Sequence, residues 1–244
     1  MTINYMGRKA DLQKKNADIV FCIDVTQSMQ HCIDGIKSNI KKFINGLQAS
    51  SKIDYRLALV AYRDIHDEKI WERGIKACDE PWIVENFTDD VNTFTTWLDR
   101  PEAQAYGGGE EPESTLDALY IAIKKSSWRE HDTHRVIVLF TDSDSHPTIH
   151  PKTIHPKPYR EKDSRVMKII EEFQRLKHGM LYMVVPQYQI YETLEKAGHD
   201  AIRTVIADYI PNDDSGLHSI NFSELLESIG KTVSASSLNI SEAP

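Results

Sequence analysis

Two hydrophobic rhythms alternate along the chain. "DIVFCID", residues 18–24, is an apolar run bounded by an acid at each end, the pattern of a strand buried on both faces. From about Ser28 to Leu47 the period lengthens. Met29, Cys32, Ile33, Ile36, Ile40, Phe43, Ile44 and Leu47 then recur at helical spacing on one broad face. "DYRLALVAYRD" predicts a second strand and "PWIVENFT" a short third one. "DDVNTFTTWLDR" predicts a helix ended by Pro101, and Ser114 to Ser127 another, with Leu116, Leu119, Tyr120 and Ile123 as its stripe. "HRVIVLFTD" is the most strongly β stretch of all. A helix containing "RVMKIIEEFQRL" follows, then the strand "GMLYMVVP" and a short helix from Tyr188 to Ala197. The strand-like "IRTVIA" and a last helix from about Asn221 to Val233 complete the series.

This alternation predicts an α/β fold: a doubly wound, mostly parallel central sheet with helices on both faces. No linker, repeat or shift of composition divides it. The expected organisation is a lead over residues 1–17, a single domain over 18–235 and a frayed polar tail over 236–244.

Composition narrows the function classes. A net charge of −8 over 244 residues argues against nucleic acid as a partner, because phosphate binding needs a concentrated basic surface. The lysines of "KSNIKK" read as a solvated helix face. No apolar run reaches the roughly 20 residues that span a bilayer, and the first residues lack a signal-type apolar core, so a cytoplasmic protein without membrane contact is expected. Cys22, Cys32 and Cys78 have no CxxC spacing and read as reduced thiols, Cys22 as a small buried hydrophobe. His131 and His134, just ahead of a strand, read as surface residues. The four tryptophans read as core or half-buried.

Chemistry gathers where strands end. The first strand closes on Asp24, followed at alternate positions by Thr26 and Ser28, and "VLFTD" closes on Asp142. A third segment, "YGGGEEPE", brings flexible glycines and acids to the start of a helix. Each piece alone has a plain structural reading: Thr26 or Ser28 as a helix cap, the glycines as a turn, Asp142 as a turn residue. Together, acidic loops at the carboxyl edge of one sheet would repel, and a divalent cation relieves them. Oxygen donors without Cys or His favour Mg²⁺, with Mn²⁺ or Ca²⁺ as alternatives, over zinc.

"DVTQS" resembles the Asp-x-Ser-x-Ser signature of the von Willebrand factor type A domain. "GGGEEPE" resembles that family's glycine loop, and "VLFTDSDSH" its third element, a strand ending in Thr-Asp. "LALVAYRD" is similar to the second strand of intracellular members, including those joined to atypical kinases. The similarity runs from about Asp18 to Val233. It implies a metal-ion-dependent adhesion site in which Thr26 and Ser28 bind the ion directly and Asp24 and Asp142 contribute directly or through water. One position stays open for an acidic or other oxygen-bearing group of a partner protein. Glu110 stands where many relatives carry threonine and a related branch aspartate, and joins the expected metal set. Glu111, His146 and His150 are the expected partner-facing side chains.

A rival reading is a metal-dependent hydrolase or phosphatase with Asp24 as nucleophile. Phosphatases of the haloacid-dehalogenase type need a second aspartate two residues on, where this chain has Thr26. Walker, HExxH and Ser-His-Asp patterns are missing from the sequence as well. A non-enzymatic interaction domain is therefore expected. A nucleophilic Asp24 would need an exposed oxygen, whereas an adhesion-type site would tie it to the Thr26–Ser28 region. Residues 143–159, with four prolines and three histidines, predict a long irregular loop beside the metal edge, with little to bury; deleting His150 to Lys157 is expected to leave the stability nearly unchanged.

Overall fold

The computed structural model describes residues 15–48, 53–65, 83–107, 112–151, 153–154, 165–206, 217 and 220–238. Its strands are β1 (Lys15–Asp24), β2 (Ile53–Tyr62), β3 (Ile83–Thr88), β4 (Thr133–Phe140), β5 (Gly179–Val185) and β6 (Ile202–Ile206). Its helices are α1 (Gln30–Gln48), α2 (Val91–Leu98), α3 (Thr115–Lys125), α4 (Val166–Gln174), α5 (Gln189–Gly198) and α6 (Phe222–Leu238). Every strand and helix expected from the hydrophobic rhythm is present.

The sheet order is β3-β2-β1-β4-β5-β6, with every neighbouring pair parallel except β2 and β3. Side chains of β1 alternate between two cores. Ile19, Phe21 and Ile23 pack with α1, α2 and α6, whereas Val20 and Cys22 pack with α3, α4 and α5. That two-sided cover is why the strand reads as a continuous apolar run rather than an alternating one. The eight residues picked for the α1 face are all buried. At the start of α2 the Asp90 carboxylate accepts from the backbone N–H of Asn92 and Thr93, which fixes where that helix begins.

Three expectations change. His134 is buried rather than exposed, with Nδ1 2.9 Å from Ser237 Oγ on α6, whereas His131 is exposed as expected. Helix α6 runs on to Leu238, into the stretch expected to fray. The Ser237 hydroxyl bonds back to Val233 O, and His134 fastens the last turn to the sheet. Helix α3 is buried all round from Thr115 to Ile123, where a single stripe was expected. Trp97 and Trp128 pack into or against the cores, while Trp71, Trp82 and Cys78 lie outside the described residues.

The chain builds β1, β2 and β3 outward on one side and then returns to lay β4, β5 and β6 on the other. The reversal falls between β1 and β4. In register, Asp24 lies opposite Tyr62 on β2, and Ile23 opposite Phe140 on β4. A crevice at the carboxyl ends of β1 and β4 is where open parallel sheets bind ligands.

Candidate functional site

Beyond Asp24 the chain turns through Val25 and Thr26 into a single 3₁₀ turn, Gln27–Met29, before α1. Thr26 holds the cap position of that turn but makes no side-chain cap bond. Its hydroxyl is spent elsewhere. Asp24 Oδ1 accepts from Thr26 N–H at 2.9 Å and from the Thr26 hydroxyl at 2.7 Å. Oδ2 accepts from the Thr141 hydroxyl at 2.8 Å. Asp24 is fully buried, so these three donors meet no competition from solvent.

The second segment is docked on the first through backbone. Gln27 N–H donates to Gly107 O at 2.9 Å, and Tyr106 N–H to Val25 O at 3.0 Å. Gly107 has a φ of 73°, the left-handed region open to glycine. Arg63, just past β2, reinforces the contact by donating to Tyr106 O and Gln104 O. Its neighbour Asp64 accepts from the Ser114 hydroxyl and pairs with His146. Both residues thus serve the rim of the carboxyl edge.

Asp142 follows Thr141 and is half-buried. Burial, and then the charge of Asp142, push the Asp24 carboxyl well above the usual carboxylate range, against the hydrogen bonds from Thr26 and Thr141. Neighbouring acids feel the same field. Burial and then the charge of Asp24 raise the Cys22 thiol and the Tyr62 phenol; burial, Asp142 and Asp24 raise Cys32. The repulsion between Asp24 and Asp142 is relieved by a proton or by a cation. Ser28 is exposed at the edge, its carbonyl 3.0 Å from His31 Nδ1.

Thus Asp24, Thr26 and Asp142 are brought together, with Ser28 one turn away. Glu110 and Glu111 lie outside the described residues. Among the described residues no three His, Cys, Asp or Glu side chains gather as a metal-holding group. The cluster is instead two carboxylates with hydroxyls, an oxygen-only donor set of the kind hard divalent cations take. Because the Thr26 hydroxyl gives its proton to Asp24, its oxygen lone pairs remain for such an ion.

The segment after Asp142 differs from expectation. In place of a loop with little to bury, Ile149 is fully buried and Thr153 nearly so. Ser145 bridges Glu113 in parallel fashion, and Thr148 bridges Arg165. The buried Asp117 carboxylate accepts from His150 N–H at 2.9 Å and from the Thr153 hydroxyl. Burial pushes Asp117 up to about 6. His146 Nε2 lies 2.9 Å from Asp64 Oδ1. Up to residue 154 this loop is a pinned wall of the carboxyl edge.

Sequence reasoning assigned no role to Thr141, Asp117, Tyr62 or Tyr191. Tyr62 OH lies 3.0 Å from Thr115 Oγ1, and Tyr191 OH donates to Ser143 O at 2.7 Å, forming a hydroxyl layer beneath the site. Asp117 did leave a trace: a lone acid inside the otherwise apolar "LDALYIAI" must be buried and therefore bonded.

Known proteins share this fold. The family model described as von Willebrand factor type A domain matches residues 18–167. No curated protein sequence matches the chain significantly. Among solved structures, the pilus adhesin SpaC from Lactobacillus rhamnosus GG is similar at a TM-score of 0.54 and 11% identity, over 91% of this chain and 31% of that one. The PilB minor pilin from Streptococcus sanguinis is similar at 0.52 and 12%, over 91% of this chain and 63% of that one. A von Willebrand factor type A protein from Catenulispora acidiphila gives 0.51 and 12%, over 91% and 43%. This chain therefore spans less than two thirds of each of these relatives, and at such identities the likeness is one of fold. With more than half of its length matched by the family model, the chain belongs to the von Willebrand factor type A domain family.

Proposed function

We propose that this chain is a divalent-cation-dependent protein-interaction module and not an enzyme. Its fold is one used for protein interaction and adhesion. The observation that carries the reading is the state of Asp24: both carboxylate oxygens are engaged, by Thr26 on one side and Thr141 on the other. A nucleophile needs a free oxygen facing substrate. A carboxylate held in this way instead orients a hydroxyl ligand and offsets the charge of an ion.

In this reading Thr26 and Ser28 hold Mg²⁺ (or Mn²⁺ or Ca²⁺) directly. Asp24 and Asp142 balance its charge, and Glu110 completes the set from the glycine loop. Once bound, the ion supplies an electrophilic open position for an acidic group of a partner protein. In the same reading His146, His150 and Glu111 are the side chains that select the partner. The single domain expected over residues 18–235 takes in all of β1 from Lys15 and all of α6 to Leu238. The buried free thiols of Cys22 and Cys32 support a reducing, cytoplasmic setting. Among the described residues no helix is long and apolar enough to cross a membrane.

Calorimetric titration with Mg²⁺ and Mn²⁺, followed by affinity capture with and without EDTA, tests the reading. Saturable binding and EDTA-sensitive capture are expected. A phosphatase assay with the same metals covers the rival reading, and turnover lost in Asp24→Asn would establish it instead.

A further inference from the structure

The hydrogen bond between Thr141 and Asp24 joins the ends of β4 and β1, residues 117 apart in sequence, across the reversal point of the sheet. Thr141 is fully buried. Its oxygen accepts from Ser143 N–H at 3.2 Å, which commits the hydroxyl proton to Asp24 Oδ2. The turn carrying Ser143 is fixed in its own right, because Tyr191 of α5 donates to Ser143 O at 2.7 Å. On the other side of the carboxylate, Thr26 supplies both of its donors to Oδ1. Asp24 is thus clamped between two threonines, one on each flank of the crevice.

We propose that Thr141 is a positioning residue for the cation site: it fixes Asp24 so that the Thr26 hydroxyl keeps its proton on Oδ1 and its oxygen lone pairs available to a divalent ion. This rests on the reading of the site as a cation site and assigns it a residue outside the ligand set. Without the Thr141 hydroxyl, Oδ2 is a buried oxygen without that donor. The carboxylate is then free to rotate, and rotation moves the acceptor that orients Thr26. The dipeptide Thr141-Asp142 accordingly does two jobs, a clamp and an acid, from adjacent positions.

The test is a Mn²⁺ titration by calorimetry on the full chain, with melting curves in EDTA recorded alongside. Thr141→Val keeps the shape and removes the hydroxyl, and is expected to weaken Mn²⁺ binding by about tenfold to a hundredfold, the usual reach of residues that orient metal ligands. Thr141→Ser restores the hydroxyl and is expected to bind as the wild type does. A Thr141→Val that melts lower in EDTA but binds Mn²⁺ with unchanged affinity would assign Thr141 a structural role only and overturn the proposal. Should that variant not fold, Thr141→Ala takes its place, with the same affinity criterion. A wild type that takes up no Mn²⁺ defeats the cation-site reading itself, a result distinct from equal affinities in wild type and variant.

Discussion

At the scale of single residues, two buried aspartates on β1 do opposite things. Asp18, at the amino edge of the sheet, accepts from Arg56 Nε and Nη2 and from the backbone N–H and Nε of Arg129, four donors on one carboxylate. Its charge is fully met. Asp18→Asn would turn an NH₂ toward donors and leave two guanidinium groups short of a counter-charge, so a loss of about 3 kcal/mol is expected in urea unfolding, with or without metal. Asp24 faces the half-buried Asp142 and, among the described residues, no basic partner of that kind. Burial and the charge of Asp142 both disfavour its ionised form and raise its pKa. Asp24→Asn should abolish the rise in melting temperature that Mn²⁺ gives the wild type. A variant that keeps the full Mn²⁺ shift would contradict this account. The sequence revealed Asp24, Thr26 and Asp142 because strand ends with alternating oxygen side chains are a local pattern. It assigned no role to Thr141 because the partner of its hydroxyl lies 117 positions away.

At the scale of elements, strands and helices were legible because each carries its own rhythm. What holds them to one another was not. Helices α1 and α6 touch through reciprocal glycines: a Cβ on Gly46 would lie 2.5 Å from Glu227 O, and one on Gly230 2.3 Å from Phe43 O. Nothing local in "INGLQ" or "SIGKT" announces that contact, since each glycine is defined by a backbone from the far end of the chain. Gly46→Ala or Gly230→Ala should force the helices apart and cost about 1–3 kcal/mol or more, read as a lower urea midpoint. The loop after Asp142 was misjudged for the same reason. Prolines and histidines signal irregular backbone, but the burial of Ile149 and the Asp117 anchor depend on α3, 33 positions away at His150. Deleting residues 150–154 should consequently destabilise the domain. An unchanged melting temperature would restore the dispensable-loop expectation.

At the scale of the whole molecule, the sheet separates two buried titrating groups with opposite pH slopes. His134, where β4 meets α6, is pushed down from 6.5 to about 4, by burial first and by the charge of His178 as well, against a backbone hydrogen bond at Val233. Its folded pKa lies below the unfolded one, so its contribution is present above pH 6.5 and is lost as pH falls toward 4. Asp117, on the opposite face, is raised from 3.8 to about 6 by burial, against its hydrogen bonds and the nearby His146. Its contribution is complete below pH 3.8 and is lost as pH rises through 6. Each effect is worth up to about 3 kcal/mol at about 1.4 kcal/mol per pKa unit. Within the window from pH 4 to 6.5 the two oppose each other, and comparison with wild type separates them because every other titration is shared. Relative to wild type, His134→Gln should gain stability as pH falls from 6.5 to 4. Asp117→Asn should gain stability as pH rises from 4 to 6. Urea midpoints at half-unit pH steps in EDTA measure both differences. Parallel curves for either variant and the wild type would mean that its group titrates in the fold as it does in the unfolded chain, and that the burial of that side chain is not felt by its proton.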